Sequence, residues 1–416
     1  MKKYSFFLVF LAACSMHKEH SDHLASIHIV DRNGFTETLS GVERLAAYEK
    51  VNFLEPQPYQ KVQRTFHRNA ENKNISLITS YHPNGHIWQY LETLDGRAHG
   101  LYREWHPNGI LKLEAHLLEG AGDLHPLAHA SWVFDGTCLV FDEEENKIAE
   151  FFYTKGALSG TSRYYHPNGK VWKELPYKNH ALDGFLCVYD ESGFTIEHIP
   201  YQKDIRHGRA YGLWTEGKPQ YEEEYVEGLL MRGEYFDAQG KLIAQIEGGM
   251  GTKAVFKEGT AIQIVEYQQG VEEGRVKILD KEGNVKSFYT IKNGVKNGEE
   301  WEYYAGSQVP KLLVIWQDDK IQGTCKTWYP QGNVESQKEM HNNLKHGLSF
   351  AWYASGDLML MEEYDLGLLV RGSYFKKGDK YPVSKVERGE GVATLHTAQG
   401  AFLQKIPYEK GVPLCD

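Results

Sequence analysis

The sequence is short of most features that announce a chemistry. After residue 13 no apolar run approaches the ~18 residues needed to cross a bilayer as a helix. It has no Gly-x-Ser-x-Gly elbow, no His-Glu-x-x-His pair and no phosphate-cradling glycine loop, so the common hydrolase, zincin and nucleotide-binding signatures are missing. The five cysteines, Cys14, Cys138, Cys187, Cys325 and Cys415, do not have metal-site spacing. Basic charge is scarce, with 46 Lys and Arg against 56 Asp and Glu, a formal net of −10. That balance argues against nucleic acid and against anionic membrane surfaces as partners. Nor does any stretch after residue 75 carry a long 3.6-residue apolar period, so helices do not build the body of the fold. No enzyme, cofactor or metal site is expected.

What is abundant is glycine, 41 of 416 residues, and it is periodic. Tyr81-His82-Pro83-Asn84-Gly85, Trp105-His106-Pro107-Asn108-Gly109 and Tyr165-His166-Pro167-Asn168-Gly169 mark one turn position. It returns at Gly193, Gly217, Gly240, Gly259, Gly283, Gly306, Gly332, Gly356, Gly378 and Gly400, mostly 22 to 26 residues apart. A second punctuation lies between, often as Gly-x-x-x-Gly, as at Gly96 to Gly100 and Gly294 to Gly298. Each unit therefore reads as strand, tight turn, strand, tight turn, with Asn-Gly supplying the positive φ that such turns need. Two and eight residues past the turn glycine stand apolar or aromatic residues such as Leu111 with Leu117, and Val171 with Tyr177; equal parity puts them on one face. A fixed period of this length means stacked supersecondary units, each burying its face on its neighbours.

A longer repeat overlies the short one. Glu223-Glu224-Tyr225 through Tyr235-Phe236 matches Glu362-Glu363-Tyr364 through Tyr374-Phe375 at an offset of 139, and Gly249-Met250-Gly251 recurs as Gly389-Glu390-Gly391 and more faintly as Gly120-Ala121-Gly122. Blocks of about six units were duplicated, with insertions near 120–135. Repetition also weighs against reading chemistry into the array. His82, His106 and His166 occupy equivalent turn positions, and the acidic pairs recur by duplication, so the former read as turn residues and the latter as solvated strand positions.

The Asn-Gly turns, the Gly-x-x-x-Gly turns and the aromatic residue before each turn resemble a MORN-repeat protein over roughly residues 78 to 411, most closely the bacterial subgroup of YwqK-like antitoxins. The resemblance implies an all-β fold: an elongated, twisted or curled antiparallel sheet of tandem β-hairpins of about 24 residues. An extended repeat sheet of this kind suits binding of another protein, with affinity spread over a long surface. Trp105, Trp328 and Trp352, on the return strands, are candidate ligand-facing aromatics, in a chain whose aromatic content is 13%. Most aromatics at repeat positions should nevertheless pack the hairpins together.

The N-terminus resembles a bacterial lipoprotein signal peptide. Lys2 and Lys3 precede an apolar run from Tyr4 to Ala13, which ends Leu11-Ala12-Ala13-Cys14. The resemblance implies cleavage before Cys14, lipidation of its thiol, and attachment to the cell envelope, with Ser15 pointing to the outer membrane. Loss of residues 1–13 removes two lysines and leaves 44 basic against 56 acidic residues, a net of −12. Residues 14–30, with His17, His20, His23 and His28, read as a flexible tether, and 31–77 as a capping segment before an array over 78–416. Within the cap, Asp31-Arg32-Asn33-Gly34 predicts a hairpin turn and Ser40 to Lys50 a short helix capped by Ser40, with Glu43 three residues on. The expected role is an envelope scaffold for another protein, of which a sequestering, antitoxin-like binder is one version; the alternative is a carbohydrate or peptidoglycan binder using exposed Trp and Tyr.

Overall fold

A computed structural model describes residues 23–48, 51–214 and 217–414. The signal-peptide segment, Cys14 and Cys415 lie outside the described residues. Thirty-eight strands and two short helices make up the regular structure of the described residues, and the chain divides into two compact units, residues 1–184 with 191–194, and residues 185–190 with 195–416. No helix among the described residues is long and apolar enough to cross a membrane.

The first unit opens with β1 (His23–Asp31), β2 (Thr36–Leu39), α1 (Val42–Ala46), β3 (Gln60–Arg68) and β4 (Asn74–Tyr81). β1 is paired on one side with β2 through the Asp31–Phe35 turn and on the other with β3. Residues 23–30, expected as part of the tether, belong instead to strand β1, because Leu24, Ile27 and Ile29 supply an apolar face that the sheet can bury; the rest of the expected tether lies outside the described residues. Ile27 and Leu39 are wholly covered and meet Leu45 from α1, with Tyr48 and Phe53 alongside. The helix is shorter than the sequence suggests, and Gly41, not Ser40, stands at its N-cap without a side-chain hydrogen bond. Only one turn of apolar residues faces the sheet here, and Glu43 has no capping hydroxyl to answer. The edge strand β2 has four residues, a length that limits pairing with other chains.

From β4 the chain runs as antiparallel hairpins, β5 (Ile87–Leu94), β6 (Arg97–Trp105) and β7 (Leu111–Glu119), each paired with its predecessor. Alternation is clean in β5, where Ile87, Gln89, Leu91 and Thr93 point inward. Ile78, Leu91, Ala98, Tyr102 and Leu117 form the core of this region. The stretch that lengthens the repeat here folds over that core, with Leu124, Trp132 and α2 (Pro126–His129), a helical turn capped by His125 Nδ1. The second unit continues the same hairpin pattern to Val412–Pro413.

One detail of the repeat agrees with the sequence reading and one differs. The first glycine of Gly-x-x-x-Gly makes a two-residue turn in which both central residues have positive φ, as at Asp95 (+49°) and Gly96 (+78°), the geometry that matches strand twist. The second glycine is not a turn. It sits in a bulge of the return strand, and at Gly100 the Glu92 carboxylate lies over it and accepts the Leu101 amide at 2.8 Å. Gly100 has φ +105°, so the bulge needs glycine for its backbone, and an added Cβ would also displace the Glu92 carboxylate.

Candidate functional site

The turn residues that looked most like chemistry are joints between units. Asn84 Oδ1 accepts the His86 amide within its own turn, while its Nδ2 donates to the Pro107 carbonyl of the next unit. Asn108 and Asn168 repeat the pattern toward Glu143 and Glu191. The residue that opens each turn adds a second joint. His82 Nε2 donates to the Trp105 carbonyl at 2.8 Å and His106 Nε2 to the Phe141 carbonyl at 3.1 Å; a carbonyl only accepts, so the proton is on Nε2. In later units the job passes to Trp214, Tyr304, Tyr329 and Tyr353, donating to the carbonyls of Phe236, Trp328, Trp352 and Phe375. Each joint contributes about 0.5–1.5 kcal/mol, and their number matters more than any one.

Trp105, Trp328 and Trp352 thus share a structural position, each lending its backbone carbonyl to the preceding unit's turn. All three rings are half-buried. Trp328 stacks on Trp301 at 5.7 Å and Trp352 on Phe350 at 5.8 Å, so the structure brings these two rings onto neighbours and not onto one another. The more open indoles are Trp88 and Trp172.

Sequence reasoning missed a buried polar cluster. Glu223 and Glu362 are buried, not solvated, while Glu224 beside the first is exposed and Glu363 beside the second is half-buried. Strand alternation sends adjacent residues to opposite faces, and the tyrosines two and twelve positions on supply the partners. Glu223 accepts Tyr225 Oη at 2.9 Å and Tyr235 Oη at 2.7 Å, and Lys253 Nζ reaches it at 2.6 Å. Glu362 accepts Tyr364 and Tyr374 at 3.0 and 2.9 Å, with Lys345 Nζ at 3.8 Å. Burial, then the neighbouring carboxylate, pushes all four phenols well above the usual range. Burial holds the Lys345 ammonium below its ordinary value against the pull of Glu362. The signal was the Glu-x-Tyr spacing itself, duplicated at an offset of 139. On the opposite face of the second-block strands, Arg209 approaches Glu222, and Arg232 bridges Glu234 and Glu247, an open ladder of surface pairs.

Among the described residues the cysteines form no disulfide: Cys138 and Cys325 are buried and Cys187 is half-buried. Burial pushes the Cys138 thiol up to about 11, which makes it a poor nucleophile.

Three stretches, residues 98–117, 158–179 and 321–342, match the family described as MORN repeat variant. At these three stretches the chain matches the MORN repeat. Each matched stretch starts just past a two-residue turn and runs through the bulge glycine, the return strand, the next turn and the following strand. MORN stretches therefore coincide with the hairpin joints described above. No curated protein shows significant similarity to the chain.

Proposed function

We propose that this protein is a non-catalytic scaffold, anchored by lipid at Cys14 in the bacterial outer membrane, whose MORN hairpins hold another protein. The observation that carries the reading is the use made of the recurring polar residues. His82, His106, Asn84 and Asn108 serve backbone carbonyls of the next unit, and the buried carboxylates serve tyrosines of their own block. Such joints build a regular support and leave recognition to outward rows. MORN repeats are generally associated with scaffolds that bind proteins or membranes. With −12 net charge after loss of residues 1–13, a protein partner fits better than an anionic surface or nucleic acid. Sequestration of one partner, as an antitoxin-like binder would achieve, is a special case of this role.

In-cell crosslinking of tagged full-length protein, beside its Cys14→Ala form, tests the proposal. A reproducible protein partner, lost or relocated when Cys14 is replaced, is the expected result. Capture of glycan fragments alone would favour the second reading, a carbohydrate binder. The openness of Trp88 and Trp172, 43% and 46% exposed, supports that alternative. On it, binding to peptidoglycan fragments should fall when Trp88, Trp105, Trp172, Trp328 or Trp352 becomes Ala without unfolding.

A further inference from the structure

In the second block three hairpin tips are stitched into one corner. Leu230 N donates to Gly270 O at 3.0 Å, Gly270 N to Gly249 O at 2.9 Å, and Gly249 N to Met231 O at 2.9 Å. The glycines make this approach possible: a Cβ on Gly249 would lie 2.7 Å from Gly270 N, and one on Gly270 would lie 2.8 Å from Leu229 Cβ. The residue after each tip glycine is apolar and faces out, with Leu229, Met250 and Val271 being 40%, 64% and 47% exposed. Ile205, next to Gly228, and Val226 extend the patch and are themselves about half exposed. A contiguous apolar cluster held open by backbone bonds is a recognition feature rather than stray surface.

The charge around it narrows the partner. Glu227, Glu247 and Glu272 are exposed at the same tips. Three nearby cations are already engaged, Arg206 with Tyr225, Arg232 with Glu234 and Glu247, and Lys253 with Glu223, and Lys203 stands beyond Ile205 at the far end of the patch. The third block repeats the stitching, with Leu369, Gly389 and Gly411 joined at 3.0 Å, but Glu390 stands where Met250 does, and Arg388 and Lys410 flank it. Of these two corners, the second-block one combines an unbroken apolar trio with an acidic rim.

We propose that this corner docks a polypeptide segment presenting an apolar side chain flanked by lysine or arginine. The assignment rests on the scaffold reading above and names the place and chemistry of its contact. The probes are two labelled peptides, one alternating Leu with Lys and one alternating Leu with Glu, titrated by fluorescence anisotropy against the full chain. The proteins compared are the parent, a Leu229→Ser/Met250→Ser/Val271→Ser variant, and a Leu368→Ser/Val412→Ser control. The Leu/Lys peptide should bind the parent and the control, weaken with salt, and lose about tenfold or more in affinity on the triple variant, the scale of a lost apolar anchor. Equal binding by the triple variant, or equal binding of the Leu/Glu peptide, overturns the proposal. So does a loss, in the same variant, of binding to neutral-lipid vesicles or of self-association, since the corner would then serve lipid or a second copy. A thermal melt matching the parent establishes folding, and should the triple variant unfold, Met250→Ser alone repeats the comparison. The two levels separate cleanly: if the triple variant still crosslinks its partner in cells, the docking point is wrong and the scaffold stands, whereas no partner for the parent removes the scaffold itself.

Discussion

At the scale of single residues, the buried carboxylates decide most. Glu362 sits among hydroxyls and one ammonium, so truncation strips two buried phenols of their carboxylate acceptor and leaves Lys345 only Tyr364 Oη, at 3.1 Å. Glu362→Ala should cost about 3 kcal/mol in chemical denaturation, whereas Glu362→Gln, which keeps an acceptor, should cost roughly half as much. Equal costs would mean that the charge, not the acceptor, holds the cluster. The acidic pairs were visible in the sequence, yet their neighbours suggested solvent. What the linear pattern did not show was that the alternating face would meet two tyrosine hydroxyls.

Among elements, the turns were the most legible and the bulges the least. Pro-Asn-Gly and Asp-Gly carry their backbone requirement in their own residue types, so the hairpins at residues 82–85 and 95–96 could be placed from sequence. The bulge at Gly100 depends on Glu92, eight residues upstream and across the ladder, and only pairing reveals it. The hydrogen bonds from one turn to the next unit's carbonyl were equally hidden, since a backbone acceptor leaves no mark in a sequence. The helix over 42–46 came out short because its burial needs only Leu45. Glycines of these elements should differ sharply in tolerance. Gly96 has φ +78° but open space, and Gly96→Ala should cost about 1 kcal/mol from backbone strain alone. Gly251 has φ +140°, and a Cβ there would lie 2.1 Å from Gln245 O, so Gly251→Ala should cost about 3 kcal/mol or more. Denaturation midpoints of the two variants rank them, and similar midpoints would refute the packing argument at the corner.

For the molecule as a whole, tyrosine governs the response to alkali. Burial raises the phenols of Tyr81, Tyr90 and Tyr102 in the first unit and Tyr221, Tyr235 and Tyr374 in the second above their ordinary value of 10.0. A raised folded-state value means stability fully present below pH 10.0 and lost as pH climbs beyond it, because the unfolded chain releases those protons first. Lys345 works the other way, its lowered value adding stability as pH rises toward 10.5, but it is one group against several. The expected outcome is cooperative alkaline unfolding, with phenolate absorbance appearing together with loss of β circular dichroism. Phenolate appearing well before unfolding would show the tyrosines to be open to water.

The joints between units address a backbone carbonyl, an atom that nearly any sequence can offer. A turn therefore does not need to know which unit comes after it, only that one arrives in register. That indifference makes the array copyable in blocks: the 139-residue duplication could join on without new interface residues having to arise first. Length then becomes a quantity that drift can change freely, while the stitched corners, which depend on specific glycines, fix where the chain may vary its outward face.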